Sequence, residues 1–230
     1  MNAPWMKFFS LLAGLSFTLL ATSARCQSYE FDGQLVYELS GSAPETLPVP
    51  GATKVEVLFH LFKPLLAITY VEDAKRTTYL YDGTNKLTAV LYEENGERTA
   101  KLDREPEVDF GVLFKVMLQG EPTGFTETGD RRTFQGKVCK EYAVETESDW
   151  TKVWMEPNFN PKGRGQVIKE FFDPLHLSSE QNPYPFGFPF SVSSGRAGEE
   201  EPLYRVDLVS REIKQFRINP GDYRLLTEQE

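Results

Sequence analysis

Few side chains in this 230-residue chain have the type and spacing that chemistry requires. Its two histidines, His60 and His176, lie far apart, and neither has a second ligand four residues on. A zinc site usually needs about three or four protein ligands, so no metal is expected. Ser191, Ser193 and Ser194 cluster in what reads as a loop. No Gly-x-Ser-x-Gly surrounds them, and nothing nearby supplies a general base. Carboxylates pair at Glu93/Glu94 and run through Glu199–Glu201, but acids in turns are usually solvated. A glycosidase pair needs two carboxyls held a fixed distance apart across a cleft. No glycine-rich phosphate loop or dinucleotide fingerprint occurs. The chain therefore reads as non-enzymatic, with a hydrolase as the weakest alternative and no cofactor implied.

What remains is apolar. Aromatic residues make up 13% of the chain. The candidate lining of an apolar-ligand site is Phe59, Tyr79, Leu91, Tyr142 and Trp154, joined by Phe186 and Phe188 if their loop folds over. The competing expectation is an ordinary filled core, because small barrels and sheets usually fill their interiors with side chains. Cys139 reads as a buried strand residue, since free cysteine behaves as a small hydrophobe.

The elements that must position these residues are strands. Phe31, Gly33, Leu35, Tyr37 and Leu39 alternate with polar neighbours, the period of a half-buried strand. Val55, Val57, Phe59 and Leu61 repeat the pattern. Leu65–Val71 is apolar enough to be covered on both sides. Thr77–Tyr81 turns at Asp82-Gly83-Thr84-Asn85 into a strand with Leu87, Ala89 and Leu91 on one face. Asn95-Gly96 is the clearest hairpin turn, because both residues tolerate the positive φ of a type I′ turn. Arg98–Leu102 returns from it. The central hairpin joins Gly136–Thr146 to Trp150–Met155 through a polar turn. Leu203–Val209 and Ile213–Ile218 form the expected last hairpin, with Leu208, Phe216 and Ile218 inward. Helical spacing over Val108–Leu118 and the stretch Gln166–Leu177 suggest one or two short helices. Asn182–Phe190 holds three prolines and four aromatics. Proline cannot donate to a ladder, so this segment is expected to be a loop.

The first residues read as an export signal. Lys7 precedes the uncharged run Phe8–Leu20, and small residues follow at Ala21–Ala24. The run falls short of the ~20 residues of a membrane-spanning helix, so the mature chain is expected to have no transmembrane segment. Cleavage after Ala24 or Cys26 both fit. Cys26 raises lipidation, although Arg25 precedes it where a small residue is usual. Residues 1–26 are thus taken as signal peptide and 27–230 as one domain, in the periplasm or secreted. Losing Lys7 and Arg25 moves the charge from −9 to −11. Such a surface repels phosphate backbones, so nucleic acid is not an expected partner.

Gly136-Lys137-Val138-Cys139-Lys140-Glu141-Tyr142-Ala143-Val144, followed by Val153-Trp154-Met155, resembles the signature of a bacterial envelope family known only as a domain of unknown function. There a glycine opens a strand, Cys and Tyr stand three apart, and the next strand ends in Val-Trp. Phe216–Tyr223 resembles the family's closing strand and turn, and Phe31–Glu38 its opening one. The resemblance implies a mainly β fold, a strongly curved antiparallel half-barrel shaped like the lipoprotein carrier LolA. It also implies a lipid, acyl chain or lipoprotein segment bound in the concave face. It carries over no catalytic residue. The alternative is an envelope protein-interaction module with a filled core, contacting partners through the loop 182–190.

Overall fold

Leu65–Glu72 (β4) is the most deeply covered strand, its first six residues all buried. A strand apolar on both faces must lie inside a sheet that is packed on both sides. Its neighbours are Lys54–Phe59 (β3) and Lys75–Asp82 (β5). The computed structural model describes residues 28–42, 47–103, 125–156 and 188–226. The remaining strands are Tyr29–Phe31 (β1), Gly33–Gly41 (β2), Leu87–Glu94 (β6), Glu97–Asp103 (β7), Thr126–Phe134 (β8), Lys137–Glu145 (β9), Asp149–Glu156 (β10), Phe188–Arg196 (β11), Tyr204–Glu212 (β12), Phe216–Ile218 (β13) and Arg224–Leu225 (β14).

Twelve of these make one open sheet in the order β14-β7-β6-β5-β4-β3-β2-β12-β11-β10-β9-β8. All neighbours run antiparallel except β14, which pairs with β7 in parallel. The sheet does not close into a barrel. β1 and β13 form a separate two-stranded ribbon, with Tyr29 opposite Ile218 and Phe31 opposite Phe216.

Each face of the sheet carries its own core. Val55, Val57, Phe59, Leu66, Ile68 and Tyr70 alternate onto one face, where Leu35, Tyr37, Val153, Val192, Tyr204 and Val206 join them. Leu58, Ala67, Leu80, Ala89 and Leu102 share a register row on the other face. There the β1–β13 ribbon covers them with Tyr29, Phe31, Phe216 and Ile218.

Most expected turns are present. Asn95 (φ 51°) and Gly96 (φ 84°) both take the left-handed conformation, as a type I′ turn requires. The central hairpin pairs Trp150 with Glu145 and Val153 with Tyr142.

Two expectations are corrected, and one strand was not foreseen. The last hairpin does not form: β12 runs on through Ser210–Glu212 to pair with β2, while β13 pairs with β1. Leu208 is buried in the first core, whereas Phe216 and Ile218 pack on the second. The end of the proline-rich segment is a strand, and Ser191, Ser193 and Ser194 lie in it, between β10 and β12. Pro189 is tolerated because it stands near the strand's start, at a register shift, one of the positions where a missing donor costs little. Finally, β8 had no counterpart in the reading of the sequence. Eight of its nine residues are exposed, so it has no apolar alternation to read.

Among the described residues there is no α-helix, only a 3-10 turn at Pro220–Asp222, and none is long and apolar enough to cross a membrane. The expected helices at 108–118 and 166–177, the leader at 1–26 and residues 182–187 lie outside the described residues.

Candidate functional site

Cross-strand pairing sets the floor of a cleft at one rim of the sheet. Trp150 of β10 stands opposite Gly195 of β11. A β-carbon built on Gly195 would lie only 2.6 Å from Trp150 Cζ2. The indole therefore rests on the bare glycine backbone. A hydrogen bond of 2.8 Å from its Nε1 to the Glu199 carbonyl holds it there.

Two turns wall this floor. In the β9–β10 turn the Thr146 hydroxyl accepts the N–H groups of Ser148 (3.3 Å) and Asp149 (3.0 Å). The Thr146 N–H donates to the Asp149 carbonyl at 2.8 Å. The β11–β12 turn is tied to it by Ala197 N–H donating to the Ser148 carbonyl, 2.8 Å. The resulting cleft has a volume of about 520 Å³ and is lined by Glu145, Asp149, Trp150, Lys152, Glu199 and Glu200, among others. Lys152 lies two residues from Trp150 on the same strand face, its Nζ 5.6 Å from the indole centroid. That is cation–π distance. Four acidic residues thus line the cleft with one lysine and one tryptophan. Asp149 accepts a hydrogen bond from the Ser148 hydroxyl.

The residues proposed from sequence as a ligand lining do not converge. Phe59 (3% exposed) and Tyr142 (2%) are buried in the first core, with Tyr79 packed at its margin. Leu91 (1%) belongs to the second core, on the opposite face. Trp154 pairs with Ser191 and Glu141. It is half-buried, its ring 5.7 Å from Phe134. Phe188 opens β11 opposite Glu156, and Phe186 lies outside the described residues.

The reactive side chains are structural. His60 sits just past β3, where Nδ1 accepts the N–H groups of Phe62 (3.0 Å) and Lys63 (3.2 Å). The same nitrogen lies 3.0 Å from an Asp32 carboxylate oxygen. Asp32 also takes the Leu61 N–H at 2.9 Å, so the two residues cap a turn. Ser191 is 4% exposed and donates to Asp207 at 2.6 Å. Asp207 is paired with Arg205. The Cys139 thiol is fully buried. Burial, then the neighbouring Glu156, push its pKa up to about 11. Among the described residues, no three His, Cys, Asp or Glu side chains stand close enough to hold a metal ion.

Reading the sequence missed the cleft. Its acids looked like two separate solvated turns, and only the pairing of β10 with β11 brings them together. The one local signal was a tryptophan flanking an acidic turn.

A mostly antiparallel β-sheet with a rim cleft is as far as fold and site define this chain. No family model matches it, and neither does any curated protein. Two crystal forms of PNGF-II are similar in structure. The P21 form is 12% identical with a TM-score of 0.38, covering 87% of this chain and 31% of that one. The C2 form is 11% identical with a TM-score of 0.36, covering 86% and 31%. The chain thus spans about a third of the length of those structures.

Proposed function

We propose that this is an exported, non-enzymatic binding module of the bacterial envelope, with a filled core and its ligand site in the Trp150 cleft. The observation carrying this reading is the burial of Phe59, Leu91 and Tyr142 at 3, 1 and 2%. A side chain lining a void for an acyl chain would keep surface open to that void. These three keep almost none, as in a close-packed interior. The export assignment rests on the Lys7 and Phe8–Leu20 leader pattern.

A second reading follows the family resemblance: a lipid, acyl chain or lipoprotein segment held by a strongly bent sheet. The half-buried Tyr79, Tyr81, Phe134 and Trp154, which flank the first core, favour it. So does the 3.0 Å bond from the Gln135 side chain to the Leu208 carbonyl. That bond links the β8–β9 turn to β12 past two intervening strands, which supports a sheet bent on itself.

Native mass spectrometry of the chain from Gln27, taken directly from a cell-envelope preparation, separates the two. The filled-core reading expects the bare protein mass. A lipid adduct that organic extraction removes would overturn it in favour of the carrier.

A further inference from the structure

We propose that the Trp150 cleft is a site for an organic cation, an alkylammonium or guanidinium group. This rests on the cleft being the ligand site. Three observations carry it. The indole is already paired with a cation: Lys152 Nζ lies 5.6 Å from its centroid, so ring and surroundings are arranged for positive charge. The cleft holds four carboxylates, Glu145, Asp149, Glu199 and Glu200, against that single lysine. No ion pair neutralises any of the four among the described residues. The walls are set in advance by the Thr146 turn and by the Ala197–Ser148 hydrogen bond, so little ordering cost falls on binding.

Other ligand classes fit less well. An anion would meet uncompensated carboxylates. A metal ion needs oxygens converging on one point, and these do not. A neutral sugar stacks on an open ring face. Here one face of the indole lies on Gly195, and Lys152 attends the ring. An incoming ammonium or guanidinium takes the place of Lys152, whose ammonium swings out to solvent. Lys152 is then a built-in competitor, and its effect on affinity has a definite sign.

The test is a calorimetric titration of the full mature protein, with its tryptophan emission recorded alongside. The probes are spermidine, N-acetyl-arginine amide and, as a neutral control, chitotriose. Circular dichroism verifies that each variant is folded. Both cations are expected to saturate and to shift the emission, with chitotriose inert. Trp150→Ala is expected to weaken spermidine binding by about fivefold. The double variant Glu199→Gln/Glu200→Gln is expected to weaken it and to flatten its salt dependence. Lys152→Ala is expected to tighten it by about threefold, because the ring loses its internal cation. Binding of chitotriose without either cation overturns the inference yet leaves the cleft as the ligand site. Absence of cation binding, spermidine affinity unchanged in Trp150→Ala, or weaker binding in Lys152→Ala each overturns it outright.

Discussion

Gly195→Ala tests the cleft through a single methyl group. The new β-carbon would stand 2.6 Å from Trp150 Cζ2, 2.7 Å from Cε2 and 2.9 Å from Nε1. Ordinary carbon contacts are ~3.5–4.0 Å, so the indole must retreat by roughly an ångström. The 2.8 Å bond from Nε1 to the Glu199 carbonyl then lengthens beyond hydrogen-bond range. Losing it costs about 0.5–1.5 kcal/mol. Replacing glycine inside a strand returns about 0.5–1 kcal/mol of backbone entropy. The two nearly cancel, so urea unfolding should change by less than about 1 kcal/mol. Trp150 emission should nevertheless shift to the red as the ring meets water, and cation affinity should fall. Unchanged emission and affinity would refute the claim that the ring rests on Gly195. A stability loss above about 3 kcal/mol would refute the claim that the ring can move independently of the backbone.

Phe59→Ala should cost about 3–5 kcal/mol in urea unfolding, as for a core phenylalanine; a loss below 1 kcal/mol would mean the ring lines a cavity. Burial works to raise the Glu56 pKa, but hydrogen bonds and charge from Lys54 and Arg76 outweigh it and hold the carboxyl below its ordinary value of 4.5. A depressed folded pKa gives stability that is present above pH 4.5 and is lost as pH falls through the folded value. Wild type minus Glu56→Gln should therefore show a stability difference that shrinks below that pH. The difference should stay under about 1 kcal/mol, because both partners are partly exposed. A difference that grows on acidification would overturn this. Cys139, with its thiol pushed up to about 11, should resist iodoacetamide at pH 8 until the protein is unfolded. Labelling of native protein at the rate of a free peptide thiol would contradict its burial.

Local strand pairing was legible in the sequence because it depends on short-range chemistry. Asn95-Gly96 shows its turn type through backbone tolerance alone. The run Leu65–Val71 shows two-sided burial through composition. The central hairpin was visible in Val138, Tyr142, Val153 and Trp154 on either side of a polar turn. Pairings between distant segments left no such trace. β13 had every mark of a hairpin partner for β12, yet it pairs with β1, and nothing near Ile213 signals that choice. β8 is polar on both faces because it is an edge strand, and charges and a bulge protect such an edge. At Pro189 a sound rule about central strands met its exception, a register shift that leaves the missing donor little to do. The cleft belongs with these distant pairings: each of its turns is ordinary alone, and only the β10–β11 register makes them one surface.

The pairing of β2 with β12, and of β1 with β13, also fixes when this sheet can form. Gly33–Gly41 finds β3 at once, but its other edge waits for Tyr204–Glu212. Glu30 and Arg217, which form an ion pair across the ribbon, are 187 positions apart. A chain threaded out N-terminus first would therefore present β2 with one row of backbone N–H and C=O groups unsatisfied until almost its whole length had emerged. Such sequence-distant closure is slow, and an open strand edge invites pairing with other chains. The interval between emergence and closure is thus the period of greatest aggregation risk, and the one in which a holding chaperone has most to protect.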